Sequence, residues 1–332
     1  MTDLQLDVIG FGNAIVDVLA RAEPAFLDRH GMRKGGMTLI DEERAETVYG
    51  AMGPGVEISG GSAANTVVGV AALGGRAGFV GKVRDDELGG IFAHDIRAAG
   101  VAYATPAATT GPTTARCLIL VTPDGERTMN TYLGAAQDLS PADVDEGLVA
   151  SAAVTYLEGY LWDPPAAKDA FLKAAGIAHR AGRTVSLTLS DAFCVGRYRS
   201  EFLTLMREGT VDLVFANEAE LMSLYETDFD AALARLRGDV KRAVVTRSEK
   251  GALAVTADET ASVPAFPVAK VVDTTGAGDL FAAGYLHGFA RGFPAGDCLK
   301  LGALCASEII GHIGARPERR LKEFAQENGL RV

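Results

Sequence analysis

The sequence has 332 residues, with 43 Asp and Glu against 32 Lys and Arg, a net charge of −11 and 48% hydrophobic residues. That balance belongs to a globular chain able to bury a core, and its acidity gives no global attraction for a phosphodiester backbone. A general nucleic-acid binder is excluded, whereas a local site for a phosphorylated ligand is not. The 39 glycines are the anomaly, because they exceed the usual ~7% with neither a Gly-X-Y period nor a linker to hold them. Defined turns are the expected place for them. No apolar run reaches the ~18 residues a bilayer span needs, and the start carries two acids and no basic region, so the reading is a cytoplasmic protein without membrane contact. Cys117, Cys194, Cys298 and Cys305 form no CxxC pair and the histidines show no ligand spacing, which argues against structural zinc and a disulfide framework.

In chain order, Leu4–Gly10 reads as a buried strand, Ser62–Leu73 as a small-residue helix closed by Gly74-Gly75, Ala77–Val80 as a strand and Asp86–Ala99 as a helix closed by Gly100. The rhythm resumes with a strand at Ala153–Leu157, a helix at Pro165–Ala181, a strand at Thr184–Leu189 and a helix at Tyr198–Arg207. A strand at Val211–Ala216, a helix at Glu218–Tyr225 and strands at Ala243–Thr246 and Leu253–Val255 follow; Asp279–Gly329 reads as helices. Such alternation predicts an α/β chain with a mainly parallel sheet covered on both faces. Two stretches break it. Ile15–Gly60 is short and irregular, and Thr113–Leu133 reads as two strands joined by Pro123-Asp124-Gly125. Both are taken as one discontinuous small β lid, residues 15–60 and 113–133, over a large domain made of residues 1–14, 61–112 and 134–332.

The strongest chemical signal is Asp273-Thr274-Thr275-Gly276-Ala277-Gly278-Asp279, just before the small, apolar run Leu280–Ala290. Glycines at a helix start let unpaired N–H groups point out together, and the helix end adds partial positive charge, which makes an anion cradle. Asp279 would repel a bound anion, but it is placed to take a proton from a hydroxyl attacking a phosphorus held there. Its simpler role is an N-cap. Gly60 and Gly61 also precede a helix and would let backbone approach a ligand; Asn65, one turn on, offers a donor and an acceptor to a diol, with capping by Ser62 as the plainer role. Asn13 and Asp17 follow the first strand at the carboxyl edge of the sheet, where open α/β folds bind ligands. The Gly10-Phe11-Gly12 start is not a dinucleotide fingerprint, because Ile15 stands at the third glycine position. Asn217 and Glu220, spaced i, i+3, suit Mg²⁺ held mostly through water, or equally cap the helix they begin.

Asp273–Asp279 and Gly60-Gly61-Ser62-Ala63-Ala64-Asn65 together resemble the two signatures of the ribokinase, or PfkB, family of small-molecule kinases. The resemblance runs from about Gly10 to Pro317 and implies a ribokinase-like three-layer α/β/α domain with a small β lid. It implies Asp279 as catalytic base, the backbone of Thr275, Gly276, Ala277 and Gly278 as an anion hole for the transferred phosphoryl group, and ATP as donor. It also implies Asn217 and Glu220 as a motif acting on Mg-ATP. Val244–Gly251 resembles the family's segment near the ATP phosphates, with Thr246 and Gly251 retained and Ser248 where a glycine is common; Arg247 reads as a surface charge. By the same analogy Arg127 on the hairpin reaches a phosphate, its alternative being a solvated arm.

Within the family, Gly12–Asp17, Leu189-Ser190-Asp191-Ala192-Phe193 and Gly302–Gly314 with Arg316-Pro317 are similar to segments of adenosine kinases. That likeness implies a purine nucleoside, adenosine foremost, phosphorylated on its 5′-hydroxyl. Asp17, Gly61 and Asn65 would hold the ribose, with Asn13 beside them; Phe193 would line the base pocket, and Met37, Leu39 and Met129 would close over it. Asp191 and Ala192 depart from the Ala-Pro of that segment, and a sugar kinase of ribose or fructose type is the alternative. The partners are then a nucleoside or sugar and ATP, with neither nucleic acid nor membrane. Monomer or homodimer, and a monovalent cation beside the Asp279 turn, are left open.

Overall fold

Two sheets of different character organise the chain. The computed structural model describes residues 5–332, so Leu4 of the expected first strand lies outside the described residues. Its strands are β1 (Leu6–Phe11), β2 (Ile15–Arg21), β3 (Met37–Leu39), β4 (Gly55–Gly60), β5 (Ala77–Val80), β6 (Val101–Tyr103), β7 (Ala115–Val121), β8 (Arg127–Tyr132), β9 (Ala152–Glu158), β10 (Thr184–Thr188), β11 (Leu213–Asn217), β12 (Arg242–Thr246), β13 (Ala252–Val255) and β14 (Thr260–Val263). The large sheet has the order β14-β13-β12-β11-β10-β9-β1-β5-β6 and the small one β3-β8-β7-β2-β4. From β12 to β6 every pairing is parallel, and only β13 and β14 run against their neighbours.

Burial explains why the sheets look so different in sequence. β1 is buried at all six positions, as a strand covered on both faces must be. β2 alternates half-buried and buried side chains, because one face of the small sheet looks into a cleft. Helices Ser62–Ala72, Ala277–Ala290 and Ala295–Ile309 cover one face of the large sheet, and Pro165–Arg180 and Ala192–Arg207 the other, giving three layers. A Cβ at Gly69 would come within 2.6 Å of the Ala283 Cβ, and one at Gly284 within 2.6 Å of the Leu301 carbonyl. Part of the glycine excess therefore sits mid-helix, where backbones cross closely, and not at turns as expected.

Other expectations need correction. The helix expected to begin at Tyr198 begins at Ala192, because the Asp191 carboxylate accepts from the Cys194 N–H at 2.6 Å and caps it; Tyr198, at φ −119°, is a kink inside it. The helix after the Asp273–Asp279 segment begins at Ala277, so Gly276 is its N-cap and Gly278 lies within its first turn. Ile15–Gly60 is ordered as β2, β3 and β4 with helices Pro24–Arg29 and Glu42–Ala51, elements too short to show a period. Among the described residues no helix is long and apolar enough to cross a membrane.

Candidate active site

The carboxyl ends of the central strands deliver the polar residues of a cleft of about 480 Å³ between the two sheets. Glu158, at the end of β9, is almost fully buried. Its carboxylate accepts from the Asn13 side-chain amide at 2.7 Å and from the Ala63 N–H at 2.8 Å. Burial pushes its carboxyl up to about 7 against those hydrogen bonds. A Cβ on Gly12 would stand 2.2 Å from Glu158 Oε2, which is why a glycine precedes Asn13. Sequence reasoning missed Glu158; only its place at the end of a central strand marked it.

Asp279 lies in the first turn of Ala277–Ala290, where that helix meets the start of Ser62–Ala72. The Ser62 hydroxyl donates to Asp279 Oδ1 at 2.6 Å and the Asn65 amide to Oδ2 at 2.9 Å. Burial raises the Asp279 carboxyl, and the two hydrogen bonds and the Arg316 charge pull it back. Asp17 on β2 is raised to about 6 by burial, with Arg316 and Arg127 opposing. Because each asparagine spends its NH₂ on a carboxylate, Asn13 Oδ1 and Asn65 Oδ1 are buried in the cleft wall without a partner among the described residues. Two orphaned acceptors and the Asp17 carboxylate fit a ligand that donates several hydroxyl hydrogen bonds.

The cleft-facing side of the small sheet is mostly apolar: Met37, Leu39, Ile119 and Met129 line the cleft. Met37 and Met129 face each other in register across β3 and β8. Phe193 is 67% exposed at the rim, beneath the Arg197 guanidinium.

Of the residues singled out from sequence, Asn13, Asp17, Gly61, Asn65, Phe193 and Met129 come together here, as do Thr246, Thr275, Asn217, Glu220 and Gly276 to Asp279. Several do so for reasons other than those expected. Space at Gly60 is taken by the Asp17 carboxylate, and a Cβ at Gly61, with φ +96°, would meet the Asn13 carbonyl at 2.2 Å; both glycines accommodate protein rather than ligand. Gly278 alone of the four turn glycines has open space where a Cβ would go. Gly251 does not line the cleft: its φ is +88°, and it makes room for the Val263 carbonyl at the turn into β13. Arg127 is not a solvated arm. Its guanidinium pairs with Asp273 at 2.8 Å and donates to Thr275 Oγ1 at 3.3 Å, tying β8 to the glycine turn. Arg247 pairs with Glu218 and lies over the Phe229 ring.

Asn217 and Glu220 form a reciprocal capping box: Asn217 Oδ1 accepts from the Glu220 N–H, while both Glu220 oxygens accept from Asn217. Burial pushes the Glu220 carboxyl up to about 7. Among the described residues no three His, Cys, Asp or Glu side chains cluster as a metal cage. Glu220 nonetheless lines the cleft with lone pairs to spare, which fits a divalent ion held by nucleotide phosphates and water.

The model of the pfkB family carbohydrate kinases matches residues 38–320. The chain belongs to the PfkB family. This PfkB kinase is 56% identical to the adenosine kinase from Sinorhizobium meliloti, whose crystal structure superposes with a TM-score of 0.92 over 98% of this chain and 99% of that one. A probable sugar kinase protein from Rhizobium etli CFN 42 is 55% identical, with a TM-score of 0.92 and the same coverage. Fructokinase-1 from Oryza sativa subsp. japonica is 32% identical over 239 residues, 70% of this chain and 74% of that relative. The protein is thus a kinase, a phosphotransferase with an alcohol group as acceptor, in a ribokinase-like α/β fold.

Proposed function

We propose that this PfkB kinase transfers the γ-phosphoryl group of ATP to the 5′-hydroxyl of a purine nucleoside, adenosine foremost. The observation that carries this is the division of the cleft: two orphaned amide oxygens and Asp17 beside Asp279, and the apolar face of Met37, Leu39, Ile119 and Met129 on the small sheet. A ribose diol fits the first and a purine face the second, whereas a bare sugar would leave that apolar face unused. The adenosine kinase likeness supports the same reading.

In the proposed step the 5′-oxygen attacks the γ-phosphorus in line as the bond to the β-phosphate oxygen breaks, and ADP leaves. Asp279 takes the hydroxyl proton, for which burial has made its carboxylate more basic than usual. The backbone N–H groups of Gly276 and Gly278 hold the developing charge, and open space at Gly278 lets phosphate approach. The Ala277 and Thr275 N–H groups already donate to the Thr274 carbonyl at 3.2 Å and Asp273 Oδ1 at 3.1 Å, so they shape the turn instead of lining the anion hole. Thr246 and Asn217 lie along the path of the donor nucleotide. Mg²⁺ bound to the phosphates would supply charge neutralisation, with Glu220 and Asn217 reaching it through water. Residues 15–60 and 113–133 act as a lid that excludes water from the closed site.

A sugar kinase is the second reading, favoured by the fructokinase likeness. ADP release with Mg-ATP against adenosine, guanosine, inosine, cytidine, ribose and fructose separates the two. Adenosine is expected to give the highest kcat/KM, and a sugar winning by about tenfold or more would overturn the nucleoside reading.

A further inference from the structure

Three consecutive residues near the end of the chain touch both glycine turns. The Gly314 N–H donates to Asp273 Oδ2 at 3.0 Å. Ala315 packs on Gly276, where an added Cβ would come 2.9 Å from its own. Arg316 reaches the other turn: Nε donates to the Ser59 carbonyl at 2.9 Å, Nη1 to the Ala64 carbonyl at 3.0 Å and Nη2 to Ser59 Oγ at 3.1 Å. Ser59 is the next-to-last residue of β4, directly before Gly60-Gly61, and Ala64 lies in the first turn of the helix that carries Ser62 and Asn65. The segment is fixed from behind by Glu308, a buried carboxylate that accepts from the Glu318 and Arg319 N–H groups at 3.0 and 2.9 Å.

We infer that Arg316 is a positioning residue for phosphoryl transfer: its planar fork sets the spacing between the two glycine turns, and it supplies the positive charge facing Asp17 and Asp279. The fork matters because three acceptors on two elements are met in one plane, which an ammonium cannot reproduce. The charge matters because the other ionisable groups facing Asp279 are mostly acidic. Asp17 faces it from β2, Glu158 and Tyr156 from β9, and Tyr160 from the turn after β9. Arg127 on β8 acts on Asp17 and is already paired with Asp273, and Asp95 acts on Arg316 itself. Burial lowers the Arg316 guanidinium to about 10, so it stays charged at neutral pH.

The inference rests on Asp279 being the base, and the test separates the two. In the full-length enzyme, Arg316→Met is expected to lower kcat by about 100-fold and to move the acid limb of kcat/KM up by about one pH unit, since loss of the cation leaves the carboxylates easier to protonate. Arg316→Lys is expected to restore the acid limb while leaving kcat about tenfold down, because charge returns without the fork. A merely structural role would leave the limb in place in both. Turnover of Arg316→Met within about threefold of wild type, or an unmoved acid limb, overturns the inference. If thermal melts show that Arg316→Met does not fold, Arg316→Lys decides it: kcat within about threefold of wild type overturns, and a tenfold loss supports. Asp279→Asn is run beside them. Retained turnover there rejects the base assignment, and the kcat losses at Arg316 still decide its positioning role.

Discussion

At the scale of single residues, the site is built on carboxylates that burial makes reluctant to ionise. Asp17, raised to about 6, shows the conflict between folding and function. Its native carboxyl holds a proton more tightly than it does in the unfolded chain, so stability falls as pH rises through that interval, and the full cost is present above about pH 6. Asp17→Asn is therefore expected to raise Tm by a few degrees at pH 7.5 while increasing KM for the acceptor by about tenfold, since one of two acceptor oxygens is lost. Differential scanning calorimetry with initial-rate kinetics checks both, and a variant less stable than wild type at pH 7.5 would contradict the argument. Asp279, Asn65, Asn13 and Asp17 could be singled out in the sequence because two stand at glycine-rich helix starts and two just after the first strand, although helix capping offered the first pair a plainer reading. Glu158 and Arg316 were not, because each acts through a partner more than a hundred residues away in the chain.

At the scale of elements, the glycine turns divide by purpose. Gly276 holds φ +77° against Ala315, and Gly278 is helical with open space beside it. Gly276→Ala is expected to cost roughly 1–3 kcal/mol of stability through backbone strain and contact with Ala315. Gly278→Ala should leave Tm unchanged or higher, because alanine favours a helix by about 1 kcal/mol over glycine, yet lower kcat/KM by about tenfold or more through crowding of the phosphoryl group. Melting curves and ADP release on the two variants distinguish these outcomes; equal stability losses would remove the distinction. The sequence showed the turns but not their purposes, since φ and close approach belong to tertiary contacts. The same limit applies to Asn217-x-x-Glu220, where a metal pair and a capping box share one spacing and only the hydrogen bonds reveal the box.

At the scale of the whole molecule, alternating strands and helices were enough to read the large parallel sheet, while the short strands β3, β6 and β14 carried too little pattern. A helix that covers β1 holds a different pH response. His287 is fully buried on Ala277–Ala290, and its imidazolium is disfavoured down to about pH 4, by burial first and by the neighbouring Arg291 charge second, with Asp7 opposing. The unfolded chain takes that proton below about pH 6.5, so stability from this group is full above that value and is lost as pH falls toward 4. Urea midpoints between pH 4 and 7 should decline by one proton's slope more in wild type than in His287→Gln; parallel curves would show that the histidine is not responsible.

The topology also bears on how the chain reaches this state. Asn13 and Glu158 are 145 residues apart, Ser62 and Asp279 are 217 apart, and Ser59 and Arg316 are 257 apart. Loops of that size close slowly relative to local helices and hairpins. These three polar contacts of the cleft thus join segments far apart in the chain. During refolding, ellipticity is therefore expected to return before turnover, with catalytic competence the last property the molecule acquires.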